Sequence, residues 1–197
     1  MVTFTLIAKR ASRFRANQEG AVAVEFSLVA IPFIALLFAI FQTMLVLFTG
    51  QVLDTALQDT ARLVRTGQAQ TMSAANFVTG PNGLCSRVPA LFNCAAAYNA
   101  GTLQVDLRTP SSFANAVLTA PTISGNTLNW GTSNGQPLYS NPGPSQIVVV
   151  RAAFLEPIYM SFPASFLGSS WDSGLKSAGS NSSHLLLSTV AFLTEPF

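Results

Sequence analysis

One carboxylate stands near the start of the longest apolar run in this sequence. Glu25 follows Gly20 by five residues, and no Asp, Glu, Lys, Arg or His occurs from Phe26 to Leu53. A lone carboxylate among apolar groups is costly unless a positive group lies close to it. If a protease cut after Gly20, Ala21 would carry an α-amine about one helical turn from Glu25, which could neutralise its own or a neighbour's amine. The alternative is that Glu25 simply reaches the lipid headgroups.

The positive charges of the sequence concentrate before this acid. Residues 1–20 hold four bases and one acid, whereas the remaining residues hold six bases and seven acids. The four early bases are Lys9, Arg10, Arg13 and Arg15. Because basic residues beside a membrane span stay in the cytoplasm, residues 1–20 are predicted to be a cytoplasmic leader, and the chain beyond about residue 50 is predicted to lie across the membrane. Downstream, no basic stripe with interleaved aromatic residues occurs, which argues against a nucleic-acid partner.

A long helix is expected to hold Gly20 and Glu25 in place. Hydrophobic residues make up 49% of the chain and charged residues 9%, well below the roughly 25% charged residues of soluble domains. The apolar run Ala21–Thr49 would span about 40 Å as a helix, enough to cross a hydrocarbon core about 30 Å thick. Pro32 predicts a kink within it. The alternative is a buried helix of a soluble protein, and a removable secretory signal is disfavoured because the run is too long.

The helix is predicted to continue into water beyond the membrane. Between Gln51 and Arg65, apolar residues recur at helical spacing with polar and charged residues between them. Asp59 and Arg62 are expected to pair across one turn, and Gly67 is expected to end the helix. The sequence therefore predicts a leader over 1–20 and a transmembrane and extended helix over 21–66.

A β-rich domain is predicted over 67–197. Leu103–Arg108 alternates apolar and polar residues, as a half-buried strand does. Gln146–Leu155 and His184–Leu193 are more continuously apolar, which predicts central strands covered on both faces. Pro121–Pro144 is rich in turn residues and is interpreted as an insert between strands. The predicted fold class is α+β, with a long N-terminal helix followed by a small antiparallel β-rich domain with long loops.

Two cysteines lie in the predicted exported domain. Cys85 and Cys94 are nine residues apart in a stretch rich in Pro, Gly and Asn. In an oxidising compartment an even number of cysteines predicts a disulfide, here one that closes a short loop. Two free, buried cysteines are the alternative.

Residues that could form a catalytic or metal site are scarce. His184 is the single histidine, so a histidine-based metal site lacks partners. Ser173 and Lys176 match the S-x-x-K pattern of some acyl-enzymes, but the S-D-N and K-T-G elements that accompany it are missing. The acids of the predicted exported domain show no spacing that pairs an acid with a base; they are Asp106, Glu156, Asp172 and Glu195. The sequence therefore predicts a protein that is not an enzyme and has no cofactor or metal, with a membrane-tethered hydrolase using Ser173 and Lys176 as the alternative.

The sequence resembles the TadE-like family of the Tad (Flp) type IV pilus system. The resemblance rests on Gly20-Ala21 followed by Glu25-Phe26, on Pro32 within the span, on Ala61-Arg62 near the end of the helix, and on the tail Ala191–Phe197, which is similar to an Asn-Glu-Pro-Phe-like ending. Members of this family are regarded as minor pilins or pseudopilins. The resemblance implies that Gly20 precedes a processing cut, that Ala21 begins the mature chain, and that Glu25 serves in assembly or processing.

The resemblance also implies partners and a location. The expected partners are a prepilin peptidase, other pilins or pseudopilins that contact the N-terminal helix, the inner-membrane assembly platform and the lipid bilayer. The expected location is the inner membrane, with one pass, a cytoplasmic N-terminus and a periplasmic C-terminal domain, and in assembled form an extracellular pilus. The alternative within this system is an unprocessed, TadG-like anchored assembly factor that does not enter the filament.

Overall fold

The computed structural model describes residues 19–88, 92–115, 120–130, 139–158 and 183–197. The described helices are α1 (Glu19–Arg65), α2 (Ala74–Thr79), α3 (Leu84–Arg87) and α4 (Cys94–Asn99), with a 3-10 turn at Phe113–Asn115. The described strands are β1 (Leu103–Arg108), β2 (Thr122–Ser124), β3 (Thr127–Asn129), β4 (Ile147–Pro157) and β5 (Ser183–Leu193). A long N-terminal helix followed by a small antiparallel sheet confirms the α+β class.

Helix α1 is a single element of 47 residues that includes Pro32. It ends where the sequence predicts, because Gly67 adopts a φ of 76°, a left-handed conformation that suits glycine. The Gly67 N–H donates to the carbonyl of Val64 at 3.2 Å, and the Ala69 N–H donates to the carbonyl of Leu63 at 3.1 Å. These bonds partner carbonyls of the last helical turn, as glycine-terminated helix ends commonly do.

The chain forms two compact units, and the boundary between them falls within helix α1. One unit ends at Phe41, and the other runs from Gln42 to Phe197. The second unit contains every described strand and its own hydrophobic core.

Three strands of the second unit form an antiparallel sheet in the order β1-β4-β5. Val105 of β1 lies opposite Ala152 of β4, which in turn lies opposite Ser188 of β5. Strand β1 has the bounds that the sequence predicts. Strand β4 is buried on both faces from Val148 to Glu156, as its continuous apolar run predicts. The central position of β4 explains why it is covered on both faces.

The prediction that the last strand is covered on both faces is wrong. Strand β5 lies at the edge of the described sheet, and Leu187, Thr189, Ala191 and Leu193 are exposed along one of its faces. The alternate side chains Leu186, Val190 and Phe192 pack against the core. Strand β5 is therefore half-buried, although seven of the ten residues of His184–Leu193 are apolar.

The core of the second unit lies between helix α1 and one face of the sheet. The helix contributes Leu53, Ala56, Leu57 and Val64, all almost completely buried. The sheet contributes Leu103, Val105, Leu107, Val148, Val150, Ala152 and Phe154. Together with the buried Thr60 and Ala61, these helical residues follow a spacing of three and four positions, so one stripe of helix α1 faces the sheet.

Short helices follow α1, in a stretch where the sequence pattern indicated no helix. Helix α2 starts after Ser73, whose hydroxyl accepts from the Asn76 N–H at 3.2 Å, and α4 starts after Asn93, whose side-chain oxygen accepts from the Ala96 N–H at 3.0 Å. Both are N-cap bonds of the usual kind.

Helix α3 contacts helix α1 through an ion pair that the sequence did not predict. The expected partner of Asp59 was Arg62, three residues away, but the Asp59 carboxylate instead lies 3.6 Å from the guanidinium of Arg87 in α3. A partner from another helix can replace a neighbour on the same helix because local pairs are worth only a few tenths of a kcal/mol.

A hairpin covers part of the other face of the sheet. Strands β2 and β3 lie within the stretch predicted as a turn-rich insert, and Gly125 in the turn between them has a φ of 62°. Leu128 and Trp130 of this segment pack on Ala153 and Leu155 of β4. The hairpin thereby closes a second, smaller apolar cluster.

Candidate functional site

The first half of helix α1 is apolar and exposed on all sides. The large apolar side chains between Val22 and Phe41 are exposed, with Phe26 at 74% and Leu28 at 71%. None of the most apolar 18-residue stretch is buried, and the helix is long and apolar enough to cross a membrane. A helix that is apolar all round is stable only in apolar surroundings, either lipid or other apolar helices.

The sequence-predicted processing and assembly residues lie at the start of this helix. Gly20 is exposed, and a Cβ added there would meet no atom within 4 Å. Ala21 and Glu25 are both within the helix, four residues apart, and therefore lie on the same face about 6 Å apart along the axis. Glu25 is exposed and has no ion pair with any residue that the structure describes. The backbone thus brings these positions together, while their roles in processing and assembly stay predictions.

Pro32 lies inside helix α1 and interrupts its hydrogen bonding. Proline has no N–H, so the carbonyl four residues earlier, that of Leu28, loses its helical donor. In a lipid environment neighbouring groups have to compensate for such a loss. The kink predicted at Pro32 stays a prediction.

The predicted disulfide is confirmed. Cys85 in α3 and Cys94 at the start of α4 are bonded, with their Cα atoms 5.4 Å apart. The enclosed loop carries Phe92, which stacks on Phe154 of β4 with ring centroids 4.1 Å apart. The disulfide therefore lies close in sequence to the Phe92 ring that packs on the central strand.

A buried charged cluster on the outer face of the sheet was not found by sequence reasoning. Asp106 of β1 lies opposite Arg151 of β4 in the strand register, and both side chains are buried. The Arg151 Nε donates to Asp106 Oδ2 at 3.0 Å, its Nη2 donates to the same oxygen, and the guanidinium lies 4.8 Å from the Trp130 ring centroid. Arg108 Nε also donates to Asp106 at 2.9 Å. Each charge is satisfied by its neighbours, which fits a structural role better than a catalytic one.

A second buried carboxyl lies between helix α1 and the sheet. Glu156 is 4% exposed, and its Oε1 accepts from the Thr49 hydroxyl at 3.1 Å. His184 lies opposite Glu156 in the register of β4 and β5 and is also buried. Burial raises the pKa of the Glu156 carboxyl, and the hydrogen bond from Thr49 partly offsets that rise. The packing of helix α1 on the sheet brings Thr49 to Glu156, and strand pairing places His184 opposite it, so spacing in the sequence could not reveal either neighbour.

The remaining candidates for chemistry are three residues outside the described part of the chain and one acid at the surface. Ser173, Lys176 and Asp172 lie outside the described residues. Glu195 lies on the surface beside Arg65 at the end of helix α1. Among the residues that the structure describes, no group of three His, Cys, Asp or Glu side chains could hold a metal ion.

A comparison with family models identifies the first part of the chain. The model described as TadE-like protein matches residues 20–62, which is 43 of the 197 residues. The match begins at Gly20 and includes Glu25 and Pro32, so the resemblance to the TadE-like family is confirmed over this segment. No curated protein and no solved structure matches the chain.

Proposed function

We propose that this chain is a minor pilin or pseudopilin-like structural subunit of a Tad (Flp) pilus, held in the inner membrane by helix α1 before assembly. The observation that carries this function is the exposed apolar half of helix α1, in which Glu25 is the single acid between Val22 and Phe41. The match to the TadE-like family over residues 20–62 supports an association with this pilus system.

The length of the exposed half-helix supports a membrane-spanning state. Val22–Phe41 comprises 20 residues, which extend about 30 Å as a helix and match the thickness of a hydrocarbon core. The basic leader keeps the N-terminus in the cytoplasm and the rest of the chain in the periplasm. The Cys85–Cys94 disulfide is consistent with that oxidising compartment.

Glu25 has a physical role both in the bilayer and in a bundle of packed pilin helices. In the bilayer its position near the start of the span lets the carboxylate reach the headgroups. In a bundle of apolar helices the carboxylate would be desolvated, and the α-amine of Ala21, from the same chain or a neighbour, would neutralise it. Cleavage after Gly20 creates that amine and removes the basic leader, so that the helix can leave the membrane. The function is structural, and the partners are the prepilin peptidase, other pilins and the assembly platform.

Processing is tested by N-terminal sequencing of the chain from cells with and without the prepilin peptidase. A mature chain that begins at Ala21 only when the peptidase is present is expected. Gly20→Leu should block the cut, and Gly50→Leu is the matched control because an added Cβ has open space at both helical positions. A chain that stays uncut in the presence of the peptidase and is absent from sheared pili would instead identify the anchored assembly factor.

The assembly role of Glu25 is tested by Glu25→Gln, which removes the charge and keeps the shape. We expect normal membrane insertion and processing but few or no pili that contain the chain, measured by immunoblots of sheared pili. Glu19→Gln is the control, because cleavage removes Glu19 with the leader. Normal incorporation of the Glu25→Gln chain would contradict the charge role.

A further inference from the structure

The last four residues, Thr194–Phe197, follow β5 and contact the end of helix α1. Thr194 is only 2% exposed, although it lies beyond the last strand. Its hydroxyl donates to the carbonyl of Gly143 at 2.8 Å and accepts from the Gln146 N–H at 2.8 Å, and its own N–H donates to the carbonyl of Gln146 at 2.9 Å. Three hydrogen bonds therefore anchor Thr194 to the segment that leads into β4.

Glu195 supplies a partner for the end of helix α1. The Glu195 N–H donates to the carbonyl of Arg65, the last residue of the helix, at 3.0 Å. Carbonyls in the last turn of a helix lack partners within the helix and need them from elsewhere. The Arg65 and Glu195 side chains also form an ion pair at 3.4 Å, which contributes little because both side chains are exposed. The backbone bond is therefore the important contact.

Phe197 rests directly on Gly67. A Cβ added to Gly67 would lie 2.7 Å from the Phe197 ring, so only glycine permits this approach. The turn that delivers the ring is centred on Pro196, because the Phe197 N–H donates to the carbonyl of Glu195 at 3.0 Å. Such a three-residue turn needs a φ near the value that proline fixes. Gly67 and Pro196 together thus allow the ring to cover the helix end.

We propose that Thr194–Phe197 is a clasp that fastens the last turn of helix α1 to strand β5. Because this clasp is anchored through Thr194 and caps Arg65, the end of the helix and the edge strand separate only when the clasp opens. A pull on helix α1 is then passed to the sheet through backbone hydrogen bonds as well as through the apolar core. The clasp lies within the second unit alone, and its effect does not depend on whether the chain enters a pilus.

The clasp is tested by hydrogen exchange of the full chain in detergent micelles, followed by mass spectrometry. Thr194→Val removes the hydroxyl and keeps the shape, and Thr194→Ser keeps the hydroxyl. We expect Thr194→Val to speed the exchange of residues 62–69 and of the second half of β5 by about tenfold, since it removes the hydrogen bonds that join the Thr194 hydroxyl to the Gly143 carbonyl and the Gln146 N–H. Thr194→Ser should stay close to the unmodified chain.

A second pair of variants tests the contact between the Phe197 ring and the end of helix α1. Phe197→Ala should also speed exchange in residues 62–69, whereas Phe113→Ala, which truncates an exposed phenylalanine elsewhere, should not. Exchange that rises only within residues 194–197 would overturn the clasp, because the helix end would then be independent of it. An equal rise in β1 would also overturn it, since the whole unit would then have been destabilised rather than one contact opened.

Discussion

At the scale of single residues, Glu156 is a carboxyl whose surroundings disfavour its charge. It is buried between helix α1 and the sheet, and one of its two oxygens, Oε2, has no hydrogen-bond donor among the described residues. Thr49 satisfies the other oxygen, and burial raises the pKa of the carboxyl. A carboxyl with a raised pKa binds its proton more tightly in the folded chain than in the unfolded chain.

The stability of the second unit should therefore increase as Glu156 takes up its proton. The gain begins as the pH falls through the raised pKa of the folded state and is complete below the ordinary pKa of glutamate. Glu156→Gln should raise the free energy of unfolding at neutral pH and remove this part of the pH dependence, measured by denaturant unfolding between about pH 4 and pH 8.

A second variant checks whether the charged form of Glu156 destabilises the folded chain. Thr49→Val removes the hydrogen bond that favours the charged carboxylate. The pKa of Glu156 should then rise further, and the loss of stability between acidic and neutral pH should grow. An unchanged pH profile in both variants would show that Glu156 does not control it.

The pair of Asp106 and Arg151 should be the most sensitive polar contact of the sheet. Asp106→Asn removes the carboxylate charge that faces the buried guanidinium, and breaking a buried ion pair typically costs about 3 kcal/mol or more. Arg108→Gln is the matched comparison, because the Arg108 side chain contacts the same carboxylate but is 28% exposed, and it should cost less than about 1 kcal/mol. Denaturant unfolding measures both, and equal losses would show that burial of the pair is not what makes it important.

At the scale of elements, helix α1 contains two kinds of apolar surface that composition does not distinguish. The sequence correctly predicted the helix and its end near Gly67 from local signals. Burial along the helix, however, begins with the side chains of Gln42, Val46 and Thr49, of which Thr49 contacts Glu156 of the sheet. These residues belong to the same apolar run as the exposed ones before them, so only the fold reveals which residues contact protein. Contacts between residues far apart in sequence decide whether an apolar residue of this run is exposed or buried.

The disulfide joins helices α3 and α4, and the stability that it contributes depends on the length of the loop that it closes. Replacing both Cys85 and Cys94 with serine frees a loop whose ends are nine residues apart, and the chain-entropy model predicts a loss of about 2–3 kcal/mol. The thermal midpoint of the unmodified chain should fall when a reductant is added, and the double variant should not respond to it. A double variant as stable as the oxidised chain would mean that the packing of Phe92 on Phe154 suffices to hold the loop.

At the scale of the whole molecule, the sequence predicted the elements that local patterns encode. It did not predict the order of the strands or the side-chain contacts that strand pairing creates. The apolar run of β4 specified its burial, because that pattern matches a central strand. The alternation in β1 predicted its bounds and a half-buried strand, but Asp106 on its polar face is buried as well. The run in β5 predicted a central strand, yet the order of the strands leaves it at the described edge. The contact between Asp106 and Arg151 depends on residues 45 positions apart in sequence. The hairpin of β2 and β3 is local, but it lies in a stretch whose turn residues indicated only loops. Gly20 and Glu25 could be predicted as neighbours because both belong to one helix, in which the separation in sequence fixes the separation in space.

The position of the boundary within helix α1 leads to a prediction about fragments of the chain. The second unit begins at Gln42, and its core includes Leu53, Leu57 and Val64 of the helix. A fragment of residues 42–197 should fold cooperatively with its disulfide formed. A fragment of residues 67–197 should not, because it lacks the apolar stripe that covers the sheet, and each lost large side chain costs about 2–5 kcal/mol, against a total stability of about 5–15 kcal/mol.

Circular dichroism and denaturant unfolding would compare the two fragments. Mild detergent is needed because Met44, Leu47 and Phe48 are exposed apolar residues in the longer one. A cooperative transition in both fragments, with similar midpoints, would contradict the prediction and show that the sheet can complete its core without the helix. A transition confined to residues 42–197 would establish that the second half of helix α1 belongs to the folding unit of the sheet, so that one continuous helix serves an apolar phase at its start and a protein core at its end.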